Sequence, residues 1–183
     1  MNSAMLILWI PFGFRGTCYY MRKVYHRSFF QNPSACMVSK PDINHTLGYS
    51  GERGIFIFNN LHRYMLYLAI AILSMKYYDV VHTMQFSGSW GLSVGTFILA
   101  IESFLLTMYV ISCHAFRHLV GGSLKQWRGG ASSIAGRIFR FSSRHNVHHN
   151  LWFWTSLAMV FLGDLFVMAV AEGLISDPRF ILG

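Results

Sequence analysis

Residues 90–113, WGLSVGTFILAIESFLLTMYVISC, carry a single charged side chain, Glu102. A run this long and this apolar reads as a helix that crosses a bilayer, which takes about 20 residues. Directly after it come His114-Ala115-Phe116-Arg117-His118. The crossing therefore ends on one thiol, Cys113, and two imidazoles. Soft thiolates and neutral imidazoles at the lip of a membrane suit a transition metal better than they suit lipid.

Working outward, two further runs match this one. The first covers about residues 57–80 and has a wholly apolar centre from Met65 to Met75, with Asn59, Asn60, His62 and Arg63 in its first turns. The other covers about residues 151–175, with Asp164 at mid-depth. Tyr77, Tyr78, Trp90, Trp152 and Trp154 fall near span ends, where amphipathic rings favour the interface. The expected architecture is an all-α integral membrane protein with three transmembrane helices. A membrane domain of residues 55–183 follows an N-terminal interfacial and inner-face segment, residues 1–54. Within that segment, residues 1–12 are apolar but too short to span.

Composition agrees. Of 183 residues, 54% are hydrophobic and only 12% charged, about half the charge of a soluble domain. The net charge of +8 does not indicate nucleic acid, because the basic residues lie in two blocks beside apolar spans. Arg15, Arg22, Lys23, Arg27, Lys40 and Arg53 form one block. Arg117, Lys125, Arg128, Arg137, Arg140 and Arg144 form the other. Lys76 and Arg179 are all that the opposite side receives, so the positive-inside rule places both blocks on the cytoplasmic or matrix side. Anionic lipid and partner subunits are natural counterparts of such blocks. The sequon Asn44-His45-Thr46 falls on the same inner side and is discounted.

That topology gathers the soft ligands. Cys18, Cys36, His62, Cys113, His114, His118 and His149 all fall near the inner rim. His114 and His118 share a helix face at four residues apart. His145, His148 and His149 would do so if their segment is helical. Three readings remain open on spacing alone. A histidine-box di-iron oxygenase would use the two histidine groups but needs a third box. A b-type haem would take two axial histidines from neighbouring helices, and a Rieske-type [2Fe–2S] cluster takes two cysteines and two histidines.

Longer stretches carry a resemblance. Gly13-Phe14-Arg15, Thr17-Cys18-Tyr19-Tyr20, Arg22-Lys23, Arg27-Ser28-Phe29, Pro33 and Ala35-Cys36 are similar to the inner-face segment of the haem-free succinate dehydrogenase membrane anchors known from actinobacteria. Asn60-Leu61-His62-Arg63-Tyr64, Ser112-Cys113-His114, Arg117-His118, Val120-Gly121-Gly122 and Ile175-Ser176-Asp177-Pro178-Arg179-Phe180 resemble the same subunit. The resemblance implies a respiratory complex II anchor with a Rieske-type [2Fe–2S] cluster in its membrane region. Such an anchor passes electrons from succinate, through a flavoprotein and an iron–sulfur subunit, to quinone. It implies metal ligands among Cys18, Cys36, Cys113, His114, His118 and His149, and quinone donors among Arg15, Tyr19, His62 and Tyr64. It also implies a mitochondrial inner or bacterial cytoplasmic membrane. In that family a full transmembrane helix precedes Gly13-Phe14-Arg15, and a further small membrane subunit would supply it here. Phe116 stands where the family has another cysteine, so no ligand is expected there. The contrasting reading is a passive anchor or assembly subunit without cofactor.

Glu102 and Asp164 are intramembrane carboxylates, costly unless paired or protonated. A buried helix–helix contact is the expected use of each, a proton route to quinone the alternative. Gly91, Gly95 and Gly163 are expected where helices pack closely.

Overall fold

The computed structural model describes residues 7–18, 20–21, 58–86, 89–121 and 133–181. Helices dominate. A short helix α1 (Trp9–Thr17) precedes the long α2 (Phe58–Thr83), and two strands follow, β1 (Gln85–Phe86) and β2 (Ser89–Ser93). Next come α3 (Val94–Ile111), α4 (His114–Gly121), α5 (Ile134–Asn146), α6 (His149–Ala171) and a last strand β3 (Arg179–Ile181). Three stretches are long and apolar enough to cross a membrane: Leu61–Thr83, Val94–Ile111 and His149–Ala171. The three expected spans are all present, with shifted ends.

Each shift has a local cause. The second span starts at Val94 rather than Trp90, because residues 89–93 pair as the centre of a three-stranded antiparallel sheet. Leu92 lies opposite Phe180, and Gln85 opposite Trp90. Ser93 then caps α3, its hydroxyl accepting from the Thr96 N–H at 3.1 Å, which satisfies one of the free amides of the first turn. The third span ends at Ala171 rather than Ile175. Gly173 adopts φ +72°, and the Leu174 and Gly173 amides fold back onto the carbonyls of Ala169 and Val170. That is a Schellman stop, with glycine in the left-handed position. The first span runs on to Thr83, and Lys76, counted above with the opposite side, lies well inside α2. Its ammonium bonds Glu102 on α3 at 2.7 Å. The expected charge asymmetry between the loops becomes steeper.

Around the three long helices the surface is apolar. Tyr78, Phe97, Phe161, Leu162 and Met168 are all more than half exposed. No water-facing surface tolerates so continuous an apolar cover, whereas lipid does. Helix α6 packs along α3, α2 lies against both α1 and α3, and α4 packs on α5. Small residues permit the close approaches. A Cβ on Gly13 would meet the Met65 sulfur at 3.1 Å, and one on Gly121 would sit 2.5 Å from the Phe139 ring. Gly163 fits the close-packing expectation, since its missing side chain makes room for the Glu102 carboxylate. Gly91 instead lies in β2.

Glu102 is the buried interhelical contact expected of it, taken by Lys76 rather than by a neutral donor. Asp164 is exposed on α6. The compact core lies at one end of the bundle, where Phe14, Leu66, Tyr109, Val110, Cys113 and Phe153 pack together.

Candidate functional site

At that end, four helix termini converge. Helices α1 and α3 arrive with their C-termini, and each ends on a hydroxyl residue followed by a cysteine: Thr17-Cys18 and Ser112-Cys113. Both cysteines close the final turn alike. The Cys18 amide donates to the Arg15 carbonyl at 3.2 Å, and the Cys113 amide to that of Val110 at 3.1 Å. Helices α2 and α6 arrive with their first turns, which carry His62 and His149. All four side chains are buried.

The contacts cross between the helices. Cys113 Sγ lies 3.0 Å from His62 Nε2, and Cys18 Sγ 3.4 Å from His149 Nε2. The other ring nitrogens meet hydroxyls: His62 Nδ1 at 3.1 Å from Thr17 Oγ1, and His149 Nδ1 at 2.8 Å from Ser112 Oγ. Following each proton fixes the tautomers. Thr17 spends its hydroxyl proton on the Gly13 carbonyl at 2.6 Å, and Ser112 on the Tyr109 carbonyl at 3.1 Å. Both hydroxyl oxygens must then accept, so each histidine carries its proton on Nδ1. Each turns an Nε2 lone pair toward a thiol. An imidazole held this way, with its far nitrogen anchored, is how proteins orient a histidine that binds metal.

Aromatic rings complete the pattern. Phe14 stacks on His62 with ring centres 4.7 Å apart and planes within 5°. Tyr109 stacks on His149 at 5.0 Å and 15°. The site is thus built twice from one local sequence, aromatic-x-x-hydroxyl-Cys: Phe14-x-x-Thr17-Cys18 and Tyr109-x-x-Ser112-Cys113. Each copy supplies a ring and a hydroxyl for one histidine and a thiol for the other. Phe14, Thr17, Tyr109 and Ser112 were not among the expected site residues, and this repeat is the sequence signal that finds them.

Arg15 binds the assembly to α6. Its guanidinium donates to the Phe153 carbonyl and the Ser156 hydroxyl, each at 3.0 Å, and lies over the rings of Tyr109 and Phe153. Burial, with Cys18 nearby, pushes the Cys113 thiol up to about 12. It is protonated at neutral pH until a cation displaces the proton.

The other expected ligands lie elsewhere or outside the described residues. His114 contacts His118 edge-on at 4.3 Å and Arg117 at 3.4 Å. His145, His148 and His149 do not share a face, because the chain breaks between α5 and α6 at Val147–His148. His145 bonds the Phe141 carbonyl, His148 is exposed, and His149 alone turns inward. Among the expected quinone donors, Arg15 and His62 have the partners just given and Tyr64 is about half exposed. Cys36 and Tyr19 lie outside the described residues.

Among the described residues, no three His, Cys, Asp or Glu side chains gather as around a single ion. The donors come in pairs, two thiols and two imidazoles. Two thiols and two imidazoles are the donor set of a two-iron cluster with two protein ligands per iron, and equally that of one tetrahedral metal.

Comparison with known proteins agrees with the resemblance read from the sequence. No curated protein matches the chain. A solved structure, the Mycobacterium smegmatis Sdh1 complex in the apo form, contains a chain 35% identical to it, with a TM-score of 0.78. The match covers 100% of this chain and 67% of that one. The sequence pattern of the actinobacterial succinate dehydrogenase subunit SdhC matches residues 1–173. The chain belongs to this SdhC family and is a membrane subunit of a bacterial succinate dehydrogenase.

Proposed function

We propose that this subunit carries electrons as well as anchoring the complex. It would hold a Rieske-type [2Fe–2S] cluster through the Cys18 and Cys113 thiolates and the His62 and His149 imidazoles. The observation that carries this reading is the doubled, crossed arrangement of Thr17–His62–Cys113 and Ser112–His149–Cys18. When bound, such a cluster supplies one-electron transfer between the iron–sulfur subunit of the complex and quinone. The ligand set proposed here replaces His114 and His118 with His62.

The chain's own residues do the rest. Thr17 and Ser112 hold both imidazoles in the Nδ1–H tautomer, with each Nε2 turned toward a thiol. Phe14, Tyr109 and Phe153 keep the site dry, which strengthens every electrostatic interaction within it. Arg15 ties α1 to α6 and so holds Cys18 in register with His149. The Arg137, Arg140 and Arg144 side chains project from α5 at the same end. By the positive-inside rule that end is cytoplasmic, where the flavoprotein and iron–sulfur subunits would dock. Quinone would reach the site from the bilayer, with Tyr64 as one exposed donor on α2. Anionic lipid would meet the remaining basic residues.

The test is an EPR and visible spectrum of the purified complex, for wild type and for the double variant Cys18→Ala/Cys113→Ala. A Rieske-like signal without a haem Soret band is expected in the wild type. The variant should lose that signal and quinone reduction while still passing electrons from succinate to a soluble dye. A Soret band would favour a b-type haem instead, and neither signal would leave a passive anchor.

A further inference from the structure

Helix α5 carries three different rows of side chains. Gly136, Phe139 and Ser142 are buried along one face. Ile134, Ile138 and Phe141, at i, i+4 and i+7, are exposed along a second. Arg137, Arg140 and Arg144, at i, i+3 and i+7, are exposed along a third, beside the apolar row.

The buried face fixes the level of the helix. The Ser142 hydroxyl donates to the Ile111 carbonyl and the Asn146 amide to the Ser112 carbonyl, each at 2.7 Å. Those carbonyls end α3, where the helix itself offers them no donor. Helix α5 is therefore tied to the point where the crossing of α3 stops, at the surface of the bilayer.

The exposed faces then say what lies against it. The apolar row leads to His145, whose ring is 4.1 Å from that of Phe141 and 6.3 Å from that of Trp152 in the first turn of α6. It is thus continuous with the apolar cover of the bundle. The arginines beside it belong to a segment, Ser103 to Gly163, that contains no acidic residue. An arginine stem can lie along the acyl boundary while its guanidinium reaches a phosphate, which it grips with two parallel N–H···O bonds. An acidic protein surface would answer the charges and leave the apolar row bare. Neutral lipid would cover the row and leave the charges. Anionic phospholipid does both.

We propose that α5 is an interfacial helix that binds anionic phospholipid, with Ile134, Ile138 and Phe141 among the acyl chains and Arg137, Arg140 and Arg144 on the headgroup phosphates. Lipid held there steadies the end of α3 that carries Ser112 and Cys113. This deepens the role given to lipid above and rests on it, whereas the cluster assignment does not enter.

The intact complex, purified in neutral detergent and stripped of lipid, is titrated with phosphatidylglycerol or with phosphatidylcholine of the same acyl chains. Bound lipid is counted by native mass spectrometry at low and raised salt, and the EPR signal is recorded on the same samples. Phosphatidylglycerol is expected to bind more tightly, with an advantage that shrinks as salt rises. The triple variant Arg137→Gln/Arg140→Gln/Arg144→Gln should weaken that preference about fivefold per arginine, or about a hundredfold. Ile138→Asn/Phe141→Asn should weaken both lipids alike. All five positions are exposed, so the buried face of α5 stays in place. Equal binding of the two lipids by wild type, or a triple variant that keeps the preference, would overturn the proposal. So would a triple variant that keeps its lipid and sheds the soluble subunits, which would assign the arginines to an acidic protein surface. None of these outcomes requires a change in the EPR signal, and absence of that signal from wild type would remove the cluster assignment while leaving the lipid count to decide this one.

Discussion

Two groups of buried polar side chains in the bundle, one at mid-depth and one at the core end, are satisfied in different ways. At mid-depth, Lys76 and Glu102 form one short ion pair, with Gly163 leaving space for the carboxylate. At the core end, two thiols meet two imidazoles through weak S–H···N contacts. The ion pair is complete without any added group and serves structure. The second is arranged so that each Nε2 and each sulfur faces another soft donor, an arrangement that gains from a cation. Burial of polar groups alone does not mark a functional site; a gathering of soft donors that a cation would complete does.

The largest expected effect breaks the complete region. Removing one member of a buried ion pair strands the other, at a cost of about 3–5 kcal/mol. Lys76→Met should therefore lower the thermal stability of the complex sharply. Replacing both, as Lys76→Met with Glu102→Leu, should restore stability to near the wild-type value, because no charge is then left in the bilayer. Melting in detergent, followed by circular dichroism, reads both. Equal loss in the single and double variants would show that the pair itself, rather than the stranded charge, carries the effect.

The same contrast explains how much of this chain was legible in advance. Three spans could be read because lipid demands long apolar helices whatever else the sequence does. The start of α3 could not, because Trp90-Gly91-Leu92-Ser93 is as apolar as a helical turn. Its strand pairing depends on Phe180 and Ile181, far along the chain. Lys76 looked like a loop charge because the partner that permits it, Glu102, is on another helix. At the site, Cys18, Cys113 and His149 were expected. His62 counted among the soft groups at the rim and was assigned to quinone, since a lone histidine in a first turn has no local signature as a ligand. Its contacts come from Thr17 and Cys113, contributed by two other helices. The aromatic-x-x-hydroxyl-Cys repeat was visible in the sequence. It gains meaning only when two helix C-termini are seen to meet.

A middle-sized effect tests how tightly the core end is held. Adding a methyl at Gly121 would place it 2.5 Å from the buried Phe139 ring, which has no flexible end to move aside. Gly121→Ala should cost about 1–3 kcal/mol, the usual range for overpacking. It should loosen α4 from α5, read as faster proteolysis of the segment between them. An unshifted melting temperature would mean that Phe139 is free to rotate away.

A smaller effect on stability but a larger one on loading is expected from the hydroxyls. Ser112→Ala removes the acceptor for His149 Nδ1–H, at about 1 kcal/mol of stability. Loss of such an outer partner typically weakens metal binding about 10–100-fold. Iron content per complex, measured alongside the melting temperature, should fall out of proportion to stability. Thr17→Val should act the same way through His62. Proportionate losses would reduce both hydroxyls to ordinary packing groups.

The smallest expected effect, that of Asp177→Asn, lies at the opposite end of the bundle, in the tail that returns to cap α3. Asp177 Oδ1 accepts from the Gly95 amide at 3.0 Å, and its charge sits against the positive end of the helix. Those two contributions can be separated. Asp177→Asn keeps an acceptor and removes the charge, so it should lose about 0.3–1 kcal/mol, the range for a charge at a helix terminus. Asp177→Ala loses the hydrogen bond as well and should cost about 1 kcal/mol more. Because the cap is only partly buried, the loss in Asp177→Asn should shrink as ionic strength rises, while the extra loss in Asp177→Ala should not. If salt left the Asp177→Asn loss unchanged, that loss would not be electrostatic, and the carboxylate would tie the tail to α3 by its hydrogen bond alone.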